Sequence, residues 1–230
     1  MNWLQKTLSS TIGKKVIMSL SGLFLIIFLI GHLAGNLQLY VQDGGETFNK
    51  YGKFMTTNPL IKVLSYITYI SFLLHIVYSI ILTIYNKRAR PTGYAINSRN
   101  NNSRWASRNM GVLGTFILIF LIIHLQGLWY KYRFGEVPIV IYDGMEFRDL
   151  YTITIAVFSE WYWVLIYTIS MVALAFHLSH GFSSAFQTLG INHKKYTPFI
   201  KKLGLVYSII VPALFASIPI YIYFINNVKK

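Results

Sequence analysis

Five stretches of this 230-residue chain contain no charged side chain: Val16–Leu33, Val63–Tyr85, Asn109–Tyr130, Trp161–Asn192 and Leu203–Val228. About 20 apolar residues in a helix cross roughly 30 Å of hydrocarbon, so each stretch is a candidate membrane span. Inside a bilayer the backbone must satisfy its own hydrogen bonds, which a helix does within one segment. The chain is 54% hydrophobic and 12% charged, whereas soluble domains carry about a quarter charged residues. The sequence therefore predicts an all-α integral membrane bundle of five transmembrane helices. It forms one domain, residues 1–230, with spans at about 16–40, 60–85, 109–130, 161–189 and 200–225.

Lys14 and Lys15 before the first stretch resemble the start of a secretory signal. The apolar run is too long for a signal core of about 7–15 residues, and no small-residue cleavage site follows it cleanly. It reads as a span. The absence of cysteine excludes disulfides and iron–sulfur ligation within the chain.

A net charge of +14 would suit nucleic acid, but the charges are placed as in a membrane protein. With the N-terminus inside, thirteen Lys and Arg residues fall on inner segments and eight on outer ones. All seven acids, Asp43, Glu46, Glu136, Asp143, Glu146, Asp149 and Glu160, fall on outer segments. The Lys/Arg bias sets orientation, which predicts a cytoplasmic N-terminus and an outer C-terminus. The basic inner face suits anionic lipid or an acidic soluble partner; no nucleic-acid partner is expected.

Between the spans, Asp43-Gly44-Gly45-Glu46 and Asn58-Pro59 mark a polar outer loop. Lys87-Arg88-Ala89-Arg90-Pro91 and the Asn-rich stretch 97–102 mark an inner loop. Residues 131–160 form a longer outer segment, in which the alternation of Val137–Tyr142 predicts a short extended or amphipathic element. Trp161-Tyr162-Trp163 opens the fourth span as an aromatic belt, and Pro212 and Pro219 predict a kink in the fifth.

His32, His75, His124 and His177 lie one to a span. A histidine in hydrocarbon is costly and marks a functional site by default. At about 1.5 Å per residue, His32 lies roughly 12 Å, and His124 roughly 9 Å, from the outer ends of their spans. His75 and His177 lie roughly 22–24 Å in from the outer side. The four thus divide by depth into an outer pair, His32 with His124, and an inner pair, His75 with His177. Two imidazoles at one level can clamp haem iron from both sides, as in bundle-core cofactor sites. Six-coordinate iron of that kind suits electron transfer.

A single membrane histidine could serve only as an interhelical hydrogen-bond donor. A proton-relay transporter would usually add intramembrane Asp, Glu or Lys, and the span interiors contain none. Zinc would need ligands beyond two histidines per level. Gly31 and Gly35 beside His32, Gly127 after His124 and Gly181 after His177 could give a porphyrin room, although small residues also serve helix packing. His180, one turn beyond His177 on the same face, is an alternative ligand or a contact for a haem propionate or quinone. His193, in a basic loop, reads as a surface group.

Further residues carry a family resemblance across nearly the whole chain. They are Ser21-Gly22-Leu23-Phe24 leading to Gly31-His32, Pro59 ahead of His75, Gly114 ahead of His124-Leu125, and Ser159-Glu160-Trp161 before Phe176-His177. In order and spacing the chain resembles the five-helix, di-haem cytochrome b membrane anchor of succinate:quinone oxidoreductases (succinate dehydrogenase or fumarate reductase). The resemblance implies two haem b groups, held by His32 and His124 on the outer side and by His75 and His177 on the inner. It implies flavoprotein and iron–sulfur partner subunits on the cytoplasmic face, with electrons passing between them and menaquinone in a respiratory chain. This chain would carry the quinone site, and dicarboxylate chemistry would belong to its partner. Family members that use menaquinone on the outer side can place a glutamate before span two. Glu46 is the nearest candidate for that proton relay. Where some relatives have a glutamate two residues before the fourth-span histidine, this chain has Ala175, which argues against a transmembrane proton path there. The rival expectations are a di-haem cytochrome b of hydrogenase or formate dehydrogenase type, and a haem-free, histidine-dependent transporter.

Overall fold

The computed structural model of the protein describes residues 2, 5–6, 9–89 and 105–228. Arg90, Pro91, Arg99, the Asn-rich stretch 97–102, Arg104, Lys229 and Lys230 lie outside the described residues.

Helix α1 spans Thr11–Asn36; Ser10 caps it by accepting a hydrogen bond from Gly13 N at 3.0 Å. This cap starts the helix before the uncharged stretch begins. Lys14 and Lys15 therefore lie in its first turns, where long aliphatic stems let their ammonium groups reach the interface. The helix tightens into a 3-10 turn over Leu37–Tyr40. After a short outer helix, α2 (Glu46–Thr57), Asn58 accepts hydrogen bonds from Leu60 N and Ile61 N to open α3 (Pro59–Arg88). Proline in the first turn loses no hydrogen bond there.

The third span begins with the short α4 (Trp105–Arg108) and α5 (Met110–His124). Immediately after His124 the backbone passes into a π-helical segment, Leu125–Tyr130, and then α6 (Lys131–Phe134). The long outer segment folds as a hairpin of β1 (Ile139–Tyr142) and β2 (Met145–Arg148), with Tyr142 opposite Met145. Asp143 and Gly144, both at positive φ, make its two-residue turn. Helix α7 (Leu150–Phe158) leads to α8 (Trp161–Thr188) and α9 (Thr197–Val228). Pro212 and Pro219 lie inside α9, and neither ends the helix.

The five long helices meet the length and hydropathy of membrane spans. Their outward faces are apolar: Ile27, Leu73, Phe116 and Ile209 expose 66%, 63%, 59% and 58% of their surface. Water would penalise such continuous apolar surface, whereas hydrocarbon accepts it. The fold is thus an all-α, five-helix membrane bundle with a small hairpin on one end.

Helix α8 is central, packed against α9, α1 and α5, while α1 also packs against α3 and α9. Gly204 lets α9 approach α8, because a Cβ there would stand 2.7 Å from the Phe182 ring. Tyr207 donates a 2.6 Å hydrogen bond to the Ile26 carbonyl and so ties α9 to α1. Two other helix pairs, α1 with α5 and α3 with α8, pack at most loosely.

At the hairpin end, the loop expected between spans one and two instead contains α2. Its Phe48 joins a core of Leu33, Leu39, Phe158, Tyr167 and Ile218. Asn49, 1% exposed, donates to Asp149 Oδ1 at 2.9 Å and to Tyr142 Oη at 3.2 Å, and accepts from Tyr151 N at 3.0 Å. One side chain thereby locks α2, the hairpin and α7 into a cap over the bundle.

Candidate functional site

The two loosely packed helix pairs are those that carry facing histidines. His32 on α1 faces His124 on α5 with ring centroids 5.8 Å apart and planes at 87°. His75 on α3 faces His177 on α8 at 6.3 Å and 67°. His180 lies one turn inward of His177, and it is the His177 ring that meets His75. All four histidines are partly buried residues.

Three helices act as rulers between the two levels. A Cβ at Gly22 would stand 3.2 Å from His75 Cε1, and one at Gly114 would stand 3.9 Å from His177 Cε1. Gly22 precedes His32 by ten residues, Gly114 precedes His124 by ten, and Tyr167 precedes His177 by ten. Each interval corresponds to about 15 Å of helix.

The nitrogen partners differ from ring to ring. His75 donates from Nδ1 to the Met18 carbonyl at 3.2 Å, with Ser21 Oγ 3.4 Å from the same nitrogen. That bond fixes the proton on Nδ1 and leaves the Nε2 lone pair available to a metal. His124 Nδ1 lies 3.2 Å from Tyr167 Oη, a hydroxyl that can accept the Nδ1 proton or donate to the bare nitrogen. Asn36 Nδ2 donates to the His32 carbonyl at 2.7 Å and lies 3.5 Å from His32 Nδ1. His177 Nδ1 is buried with no hydrogen-bond partner, an arrangement that a polar group in hydrocarbon tolerates poorly.

Aromatic rings close the outer level. Phe28 stacks on His32 at 5.3 Å and 14°, Phe215 lies 5.6 Å from it, and Phe120 lies 5.7 Å from His124. The π-helical segment begins at the residue after His124; such local widening of a helix recurs at functional sites.

A bis-imidazole metal group fits these rings. With metal–nitrogen bonds of about 2.0–2.1 Å and ring nitrogens about 1.1 Å from ring centres, two axial imidazoles hold their centroids about 6.2–6.4 Å apart. The inner pair already has that spacing, and the outer pair is close to it. Among the described residues, no group of three or more His, Cys, Asp or Glu side chains could hold a metal ion by itself. A donor set of two opposed imidazoles suits a metal whose remaining ligands come from a macrocycle.

The glycines singled out from sequence divide. A Cβ at Gly31, Gly127 or Gly181 would meet nothing within 4 Å. Gly35 instead lies beneath Tyr51, whose ring a Cβ would overlap; it makes room for α2. The glycines that touch the histidines are Gly22 and Gly114.

Glu46 opens α2 on the outer cap, where Lys50 binds it at 2.5 Å and Asp143 at 2.6 Å. Hydrogen bonds from Lys50 to Asp143 and Glu46 hold its ammonium pKa well above the usual lysine range. The carboxylate is therefore engaged at the surface rather than with the outer pair. His193 lies on the exposed loop before α9, accepting from Lys195 N at 3.2 Å.

Sequence reasoning missed Tyr167, Met18 and Asn36 as partners of the histidines. Tyr167 lies six residues into α8, a depth of about 9 Å, the same as that of His124. Its level was open to the same arithmetic that sorted the histidines. No protein-family model, curated protein or solved structure matches the chain.

Proposed function

We propose that this chain is a di-haem cytochrome b membrane anchor of the succinate:quinone oxidoreductase type. Its work would be to pass electrons between soluble flavoprotein and iron–sulfur subunits on the cytoplasmic face and menaquinone in a bacterial inner membrane. The observation that carries the reading is the facing of two histidine pairs across helices that otherwise pack loosely. Interhelical hydrogen bonding alone would bring such helices together, whereas a planar group between the rings would hold them apart.

His75 and His177 would hold the inner haem, and His32 and His124 the outer. Held between these imidazoles, each haem would supply reversible one-electron transfer. The Met18 carbonyl orients His75 with Nε2 free, and Tyr167 would accept the Nδ1 proton of His124 once Nε2 binds iron. Phe28, Phe120 and Phe215 exclude water from the outer level, so that charge changes there occur in an apolar setting. Thirteen basic residues on the inner segments favour an acidic docking partner on that side. Glu46 would take part in quinone protonation only after release from Lys50.

A reduced-minus-oxidised optical spectrum of the purified chain tests the reading. Two b-type components resolved by redox titration are expected. The absence of any b-type signal in protein expressed with adequate haem would overturn it.

A further inference from the structure

A cavity of about 850 Å³ lies where α1 begins and α3 ends, outside both histidine levels. We propose that it binds the phosphate headgroup of an anionic phospholipid. Lys14 and Arg88 supply two positive charges to the cavity, and Gln5 and Ser9 line its polar side. Ile81 and Ile84 form an apolar wall. Lys14 is held in place, its Nζ 4.4 Å from the centre of the Tyr85 ring, a cation–π contact that leaves its remaining hydrogens free to donate.

Among the described residues, neither cation is paired with a carboxylate. All seven carboxylates lie on the segments after span one or between spans three and four. Crossing α1 separates them from Lys14 by about 40 Å. A counter-anion must therefore come from outside. An acidic soluble protein could supply one to an open polar surface, but it would gain little from Ile81 and Ile84. A phospholipid matches both walls, since its phosphate meets the cations while its first acyl carbons follow α3 into the bilayer. The volume falls in the range of about 300–1,000 Å³ usual for small-molecule sites. Basic pockets between spans on the cytoplasmic side are the common form of headgroup site.

The test compares spin-labelled phosphatidylglycerol with spin-labelled phosphatidylcholine for the purified chain in phosphatidylcholine vesicles. The native chain is expected to select phosphatidylglycerol. Lys14→Gln and Arg88→Gln should each weaken that selection about fivefold, the effect of one charge near the surface. Lys201→Gln/Lys202→Gln removes two inner charges away from the cavity and should leave the selection near its native value. Lys14→Arg/Arg88→Lys keeps both charges and should bind as the native chain does, which separates charge loss from misfolding. Equal preference for the two lipids overturns the proposal, as does an equal drop in the Lys201/Lys202 control. Loss of a soluble subunit or of the inner haem from the Gln variants, with lipid selection unchanged, also overturns it. Lipid selection is read without any haem signal, so its failure is distinct from failure of the cytochrome reading.

Discussion

Tyr167 on α8 places its hydroxyl 3.2 Å from Nδ1 of His124 on α5, joining at the outer level two helices whose inner-level contacts involve different residues. The inner counterpart on α3, His75, is instead bonded to a backbone carbonyl, Met18 O. The two levels therefore differ in kind. A carbonyl partner cannot be removed by substitution of its side chain, and a tyrosine partner can.

On the proposed di-haem reading, Tyr167→Phe is expected to raise the midpoint potential of the outer haem and leave the inner one unchanged. A hydroxyl accepting the Nδ1 proton makes the imidazole a better donor and favours ferric iron. A net hydrogen bond of about 1 kcal/mol, set against 59 mV per tenfold change for one electron, corresponds to roughly 40 mV. Potentiometric titration reads the shift; movement of the inner component instead would contradict the assignment of Tyr167 to the outer level.

On the same reading, the ring pairing predicts how haem is lost. His32→Ala or His124→Ala should remove the outer haem alone, and His75→Ala or His177→Ala the inner alone. His180→Ala should retain both, because His177 is the ring that faces His75. Haem content and titration of the five variants check this, and loss of one and the same haem in all four ligand variants would contradict the pairing.

The spans and the two histidine levels were legible because both depend on one-dimensional quantities, uninterrupted hydropathy and rise per residue. The cap was less so. Helix α2 has twelve residues and fully buries only Phe48 and Asn49; its stripe of Phe48, Tyr51 and Met55 is short, and a buried Asn looks like a loop residue in sequence. The hairpin turn, by contrast, is written in Asp143-Gly144, a strong short-range signal that alternation in Val137–Tyr142 alone understates. Which glycine touches which histidine depends on helix rotation, and rotation is settled by contacts between helices. For that reason sequence neighbours such as Gly31 and Gly35 were singled out, while Gly22 meets His75 from another helix.

Gly22→Val should lower inner haem content while sparing the outer. Even a Cβ at Gly22 would be 3.2 Å from His75 Cε1, and the further methyls of valine would push the ring out of line with His177. Gly31→Ala adds its methyl where nothing lies within 4 Å and should change stability by no more than about 0.5 kcal/mol, as surface substitutions do, with both haems retained. A haemochrome assay of the two variants separates a crowded ligand from mere sequence adjacency, and equal haem loss in both would refute the contact.

Asn49 and Asp149 make the outer cap sensitive to acid. Burial pushes the Asp149 carboxyl up, but hydrogen bonds from Thr152, Asn49 and Tyr151 outweigh it and hold its pKa below the ordinary carboxylate value of 3.8. A lowered folded pKa means that the ionised carboxylate stabilises the cap. That contribution is complete above the ordinary value and is lost as pH falls through the lowered one. Limited proteolysis of the native chain in detergent should therefore show the cap, residues 43–58 and 135–158, opening as pH falls below about 4, while the spans stay protected. Asp149→Asn should weaken the cap at neutral pH and abolish this acid dependence. Asn49→Ala, which leaves a buried carboxylate and the Tyr151 N–H without that partner, should cost about 1–3 kcal/mol. Cap cleavage in the Asn49 variant at the native rate would show that the three elements are held by something other than this side chain.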